Sequence, residues 1–324
     1  MLDSGVLLTP VKPTPTTVAL GRLAEDLGYG QVWVADEGLA TRDVFVTMAA
    51  IAAATTTLRI GTGIVNPFNR HPALIAAAIA SIDELSGGRA FLAFGAGGSL
   101  ALGPLGIIRE HPLARVREAV AVCRRLFDGE TVTFDGETVT LRNARIEYTR
   151  PGIEIWFAGR SPKLLAHAGA AVDGVLLEFL HTPSLGTYLA QVRAGAVAAG
   201  RPAPRMYYST CVVTDRERLD DIRPHMTYRL VDSPQEVKER LGITERHVAA
   251  IREAMADGIH AAAHLIPDEW VEPFVLLGSP DECAAELGAL RDRHGFDGFV
   301  LVLADEDRPG DEMAAGADML ARVR

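Results

Sequence analysis

The sequence predicts an α/β chain built as a closed (β/α)8 barrel. Short apolar strands alternate with helices along nearly the whole length, and successive strands end in glycine-laden turns. A length of 324 residues suits one such barrel as well as two smaller domains. The stretch Leu58–Ser99 shows the pattern best. It holds an apolar run to Val65, an Ala-rich helix opened by Pro72 and closed by Gly87-Gly88, a buried strand at Arg89–Phe94, and then Gly95-Ala96-Gly97-Gly98. Two strands joined through a helix run parallel. Ligands in such folds sit where the strands end, which places the chemistry near Gly63–Asn66 and Gly95–Ser99. A doubly wound open sheet shares this alternation and is the second architecture.

The first strand is Gly5–Leu8, stopped at Thr9-Pro10. A Pro-rich loop leads into a helix reaching Leu27, and Gly28 stands where a C-cap glycine ends it. Gln31–Ala35 (QVWVA) is the second strand and runs straight into Asp36-Glu37-Gly38. Asp43 is placed to cap a helix through Ala54. After the third and fourth strands comes a helix over Arg109–Phe127, with Val116, Val120, Cys123 and Phe127 at helical spacing. GETVTF and GETVTL then flank Asp135-Gly136, which predicts a two-residue hairpin turn inside an insertion over 129–148. The alternation resumes with a strand at Ile153–Phe157, followed by Gly159-Arg160 and a helix with Ser161 as N-cap and Pro162 behind it. Val175–Leu177, a helix over Pro183–Ala199 and a strand at Tyr207–Val213 follow. No strand is predicted from Asp215 to Trp270, so 215–272 reads as a helical insertion on the rim and a lid for the substrate side. Ser279-Pro280-Asp281-Glu282 predicts a capping box. Phe299–Leu303 is the eighth strand and Met313–Val323 the last helix, giving one barrel domain over 1–324 with two insertions.

Composition narrows the function. Apolar residues make up 48% and charged residues 23%, as in a globular chain with ample core. A net charge of -10 without a Lys/Arg cluster argues against nucleic acid and anionic membranes. The longest apolar run, Ala73–Ile82, is too short to cross a bilayer. No charged, apolar leader precedes Gly5, and the three cysteines are far apart, so a cytoplasmic protein without disulfides is expected. His260 and His264 have helical metal-binding spacing but no third ligand, and no metal is expected. Ser99, Ser161 and Ser209 lack a G-x-S-x-G elbow. His71 reads as a helix start, Tyr207-Tyr208 and Tyr228 as packing, and Asp305–Glu312 as a solvated run.

Ala24–Gly38, Leu58–Ser99, the hairpin insertion, Ile153–Gly174 and Leu277–Glu282 together resemble the luciferase-like monooxygenase superfamily. GTGIVNPFNRHP followed by DELSGGRAFLAFGAGG is the most specific match. Within it the chain is similar to the deazaflavin-dependent branch typified by methylenetetrahydromethanopterin reductase. The resemblance implies coenzyme F420 in the barrel mouth, with FMN as the alternative cofactor. It implies a bulge with a non-prolyl cis peptide between Gly63 and Ile64, backing one face of a tricyclic ring. Asn66 would meet the ring's polar edge, although Asn before Pro67 is also a turn former. Gly95, Gly97 and Gly98 would let the loop approach the cofactor tail, and Gly159, Arg160 and Ser161 would take its phosphate. Lys163 is a weaker candidate.

Three departures stand out. Relatives commonly carry Asp-His after strand two, where this chain has Asp36-Glu37; Asp36 and Glu37 are the catalytic candidates, Glu37 if burial raises its pKa. An acidic residue seen in some members after the strand-four glycines is replaced by Gly98-Ser99. Glu178 occupies the place of a small polar phosphate ligand. The leading expectation is hydride transfer between the deazaflavin and a small organic substrate, whose identity the residues do not name. The alternatives are an FMN-dependent monooxygenase with a separate reductase, and a degenerate barrel that binds without turnover. A homodimer through Val44–Ala54 and Pro72–Leu85 is also implied.

Overall fold

A computed structural model describes residues 2–305 and 307–323, without the side chains of Ser99 and Leu100. The strands are β1 (Asp3–Leu8), β2 (Gln31–Val34), β3 (Arg59–Thr62), β4 (Ala90–Phe94), β5 (Val132–Asp135), β6 (Thr140–Ala144), β7 (Ile155–Ala158), β8 (Gly174–Glu178), β9 (Arg205–Thr210), β10 (Val212–Val213), β11 (Leu276–Leu277) and β12 (Gly298–Val302). Eight of them close into a barrel in the order β1-β2-β3-β4-β7-β8-β9-β12, with β5-β6 and β10-β11 as separate pairs. The open sheet is excluded. The larger helices between the strands are α1 (Thr14–Asp26), α2 (Val44–Ala54), α3 (Pro72–Ser86), the short α4 (Ser99–Leu102), α5 (Pro112–Phe127), α6 (Pro162–Ala171) and α7 (Leu185–Ala198).

Two compact units can be told apart. The first runs up to Glu178 and adds Tyr188–Ser209 and Phe296–Leu301; the second comprises Phe179–Thr187, Thr210–Gly295 and the chain from Val302. The second is mostly helical, with α8 (Leu219–Val231), α9 (Gln235–Arg240), α10 (Glu245–Ala254), α11 (Ile259–Ala262), α12 (Asp268–Val271), α13 (Pro280–His294) and α14 (Pro309–Arg322). Among the described residues, no helix is long and apolar enough to cross a membrane.

The barrel interior is filled in steps. At its amino-terminal end Glu154 accepts from Arg59 at 2.6 Å, from Trp156 Nε1 at 3.0 Å and from Arg205, while Tyr207 Oη donates to Asp3 at 2.5 Å. Above this ionic floor lie four rings from alternate or adjacent strands. Trp33 meets Phe91 and Trp156 edge-on at 4.6 and 5.3 Å, and Trp156 meets Tyr207 at 4.6 Å. The remaining strands supply glycine there. A Cβ on Gly61 would lie 1.9 Å from the Phe91 ring, one on Gly174 2.2 Å from Trp156, and one on Gly298 2.7 Å from Tyr207. Two residues further along β2, β3, β4 and β7 the inward positions are Ala35, Gly63, Ala93 and Ala158. The rings plug the lower half; in the next inward layer these four strands bring small residues, while β1, β8, β9 and β12 bring Leu7, Leu176, Ser209 and Val300.

Local chemistry explains most element ends. Asp43 caps α2 by accepting from Phe45 and Val46 N–H, Gly87 ends α3 in the left-handed region at φ 68°, and Ser279 with Glu282 forms the expected capping box. Five expectations need correction. The helix expected from Arg109 starts at Pro112, because His111 is held at φ 49°. The turn does not fall on Asp135-Gly136: Asp135 pairs with Thr140, Gly136 N–H donates to Val139 O at 2.9 Å, and the tip beyond is gathered by Glu118, which accepts from the N–H groups of Glu137, Thr138 and Val139 at 2.7–2.9 Å. The strand expected to reach Val213 breaks at Cys211, where Thr210 Oγ1 donates to Phe274 O and β10 turns to pair with β11. The run Asp305–Glu312 is no solvated tail. Arg218 donates to Asp305 at 3.1 Å and to Glu312 at 2.8 Å, and Glu312 also accepts from Ala304 and Asp305 N–H; Glu306 lies outside the described residues. The last helix accordingly begins at Pro309 rather than Met313.

Gly61→Ala forces a methyl into the Phe91 ring and should cost about 1–3 kcal/mol, read as a lowered melting temperature. Gly98→Ala, with nothing within 4 Å of the added carbon, should leave the melting temperature unchanged.

Candidate active site

The mouth of the barrel is organised by one extra residue in the third strand. Gly61 pairs with Phe91, yet Val65 pairs with Phe94, so Thr62, Gly63 and Ile64 face only Leu92 and Ala93. That is a β-bulge. The Gly63–Ile64 peptide within it is cis. Thr62 Oγ1 stitches the bulge to β4, donating to Ala93 O and accepting from Ala93 N, each at 2.8 Å. On the other side Gly63 N donates to Val34 O at 2.6 Å. A side chain on Gly63 would collide with Leu7 at 2.6 Å and Trp33 at 2.9 Å, so only glycine lets the bulge lie on the plug.

The strand-four glycines divide by role. Gly95 is filled by Ile64, whose Cδ1 stands 1.9 Å from where its Cβ would be. Gly97, at φ 75°, is packed under Leu102 and beside Asn66. Its carbonyl accepts from Arg109 at 2.9 Å. Gly98 is exposed and faces open space. Asn66 is buried, and its Oδ1 accepts from Phe68 N at 3.0 Å and Asn69 N at 3.2 Å. The turn-forming role is therefore real, and only the amide N–H donors of Asn66 are left for a ligand.

The two carboxyls after β2 separate sharply. Asp36 is 7% exposed; its Oδ1 accepts from Gly38 N at 3.2 Å and its Oδ2 is buried without a partner. Burial pushes its pKa up, against the opposing pull of the Gly38 N–H, the Arg70 charge and the Asn69 side chain. Glu37 is exposed, with its N–H donating to Thr41 Oγ1 at 3.2 Å. The burial that Glu37 would need is found instead at Asp36, because the chain turns outward at Gly38. The Ser99 side chain lies outside the described residues.

At the next strand pair, Ala158 aligns with Leu176, so continuing that register sets Arg160 opposite Glu178. Arg160 and Glu178 are half-buried, while Ser161 is exposed. Ser161 sits at the N-cap position of α6, but its hydroxyl makes no capping hydrogen bond, contrary to expectation. A Cβ on Gly159 would meet the Phe157 ring at 2.8 Å. Lys163 is exposed. His71 caps α3, with Nδ1 accepting from Ala73 N, and the Tyr208 ring stacks on Phe296 at 5.5 Å. Asn69 was missed in the sequence, since its importance comes from lying beside Asp36 across two loops.

The fold and mouth define a parallel eight-stranded barrel whose third strand ends in a cis-bonded bulge beside a buried carboxyl. The chain belongs to the luciferase-like monooxygenase family, matched over residues 4–298. It is 31% identical to a 5,10-methylenetetrahydromethanopterin reductase of Methanolobus tindarius over 89% of this chain and 90% of that one. It is 34% identical to an F420-dependent glucose-6-phosphate dehydrogenase of Kineococcus radiotolerans over 55% of this chain and 57% of that one. The coenzyme F420 dependent tetrahydromethanopterin reductase of Methanopyrus kandleri superposes with a TM-score of 0.86 at 22% identity, covering 99% and 98% of the two chains.

Because the folded state holds the Asp36 proton more tightly than the unfolded chain does, stability from this group is full below the ordinary aspartate range, about 3.9, and is lost as pH rises through the folded value. Asp36→Asn should therefore match the wild type in acid and melt at a higher temperature at neutral pH. Thermal melts across that range check it.

Proposed function

We propose that this chain is an oxidoreductase transferring a hydride between coenzyme F420 and a small organic substrate. The observation that carries the reading is the glycine bulge at the end of the third strand, with the buried Asp36 carboxyl following the second. One side of the mouth suits a flat ring: on β2, β3, β4 and β7 the inward residues above the aromatic plug are small, Ala35, Gly63, Ala93 and Ala158. The relatives named above support the same cofactor class.

Gly63 and Ile64 would back the ring, and the Asn66 amide would donate to its polar edge. Gly98 and Gly97 line the loop beside the cofactor tail, with Gly95 serving that loop by seating Ile64. Gly159, Arg160 and Ser161 would take the phosphate through N–H groups, a guanidinium and an uncommitted hydroxyl. When bound, the coenzyme supplies a ring carbon that gains or loses a hydride. Asp36 is the residue for proton handling, since its carboxyl is buried and biased towards the neutral form. Glu37, in water, serves at most as a rim contact for substrate.

Fluorescence titration of the purified protein with F420 and, in parallel, with FMN tests this reading. F420 should bind and FMN should not; tight FMN binding without F420 binding would reverse it. Arg160→Ala should weaken F420 about tenfold, as expected for one charge-assisted contact, and Glu37→Gln should change affinity little.

We also read the chain as a homodimer in the cytoplasm. Val46 on α2 and Leu74 and Leu85 on α3 are 62%, 69% and 54% exposed, an apolar surface on two helices that pack together. The cysteines Cys123, Cys211 and Cys283 are buried and form no disulfide, which suits a reducing compartment. Light scattering should give twice the chain mass, and Leu74→Glu should halve it.

A further inference from the structure

Three inward positions at the rim of the barrel follow one another across neighbouring strands. Glu178, at the end of β8, pairs directly with Ser209 on β9, and continuing the β7–β8 register sets Arg160 on its other side. All three lie in the first compact unit. Ser209 faces inward because it stands two residues beyond Tyr207, whose ring belongs to the plug. Tyr208 between them turns the other way and stacks on Phe296 at 5.5 Å. Exposure divides the pair. Glu178 is half-buried, whereas Ser209 is fully buried and its hydroxyl has no hydrogen-bond partner among the described residues.

A buried hydroxyl without a partner weakens the folded state. Packing does not call for it, since Ala93 and Ala158 fill the same inward layer on β4 and β7 with no polar atom. The group placed to use its hydrogen is the Glu178 carboxylate, directly across on the next strand. A glutamate side chain spans the roughly 4.8 Å between neighbouring strands. In the structure that bond is not made, so the carboxylate stands elsewhere and Ser209 offers it a second position. We propose that Ser209 is a positioning residue for binding of the coenzyme phosphate: when a phosphate engages Arg160, Glu178 turns away from that edge and its carboxylate accepts from the Ser209 hydroxyl. The proposal rests on the phosphate site read above at Arg160. Two negative charges side by side in a wall of low dielectric repel strongly. The turn towards β9 separates them and gives the carboxylate a charge-assisted hydrogen bond at its new position.

The test is a double-mutant cycle of Ser209→Ala with Glu178→Gln, read as coenzyme affinity by fluorescence titration. In the wild-type background Ser209→Ala should weaken F420 about tenfold, as expected for the loss of one charge-assisted hydrogen bond. In the Glu178→Gln background, where no carboxylate needs a second position, the same change should leave affinity nearly unaltered. An equal loss in both backgrounds, or no loss in either, overturns the proposal. FMN also carries a phosphate. If FMN binds in place of F420, the hydride-transfer reading fails, and the same cycle run with FMN still decides this one. One arm needs no coenzyme: Ser209→Ala alone should not lower the melting temperature, because its hydroxyl makes no bond in the structure. A lowered melting temperature would give the hydroxyl a purely structural role and overturn the proposal, whatever the coenzyme does.

Discussion

The fit of four aromatic rings against four glycines inside the barrel is the constraint on which the rest depends. Trp33, Phe91, Trp156 and Tyr207 carry large apolar area into a space that eight ordinary side chains would overfill. Gly61, Gly174 and Gly298 make room by having no Cβ, and Gly5 stands 3.2 Å from Trp33 in the same sense. The rings in turn cover the ionic cluster around Glu154. Burial raises the Glu154 pKa, but the Arg59 contact, the Trp156 N–H and the Arg205 charge outweigh it and hold the carboxyl below its usual range. One end of the barrel is thereby closed by charge and by rings, and the proposed site lies at the other.

That division passes directly into the bulge. Gly63 rests against Leu7 and Trp33, so the surface of the plug sets where the distorted strand lies. The extra residue then throws Ile64 across Gly95, and the turn that follows is closed by the Asn66 side chain. From there Asn69 arrives beside Asp36. A chain of packing contacts, rather than any single motif, brings an unsatisfied carboxyl to the mouth. Such a group weakens the folded state, which is the ordinary signature of a site kept for chemistry rather than stability.

The parts that are written locally were legible in the sequence. Strands β1 to β4, β7 and β8 follow from short apolar runs between glycine and proline, and Asp43, Gly87 and Ser279 act through neighbours within four residues. What was misread depends on residues far apart in the chain. Glu118 sets the hairpin tip from about twenty residues upstream, and Arg218 draws Asp305 and Glu312 into ion pairs from about ninety residues away. The two adjacent acids Asp36 and Glu37 look equivalent as letters. Only the turn at Gly38, whose φ is 61°, decides which of them is buried. The strand-four glycines read as room for a cofactor tail, whereas at Gly95 the space is filled by Ile64 from the neighbouring strand, a packing the sequence does not display.

The same register weighs the departures from related chains. With Asp36 in the buried place, Glu37 need not stand in for the histidine of relatives, since it is a different atom of the same loop that meets the low-dielectric side. Glu178 is the more consequential change. Continuing the β7–β8 pairing by two residues sets it on the strand next to Arg160, so a carboxylate and a guanidinium share one edge of the mouth. For the phosphate site proposed above, the further donors at this edge are the N–H groups at the start of α6 and the Ser161 hydroxyl, which makes no capping hydrogen bond to the helix.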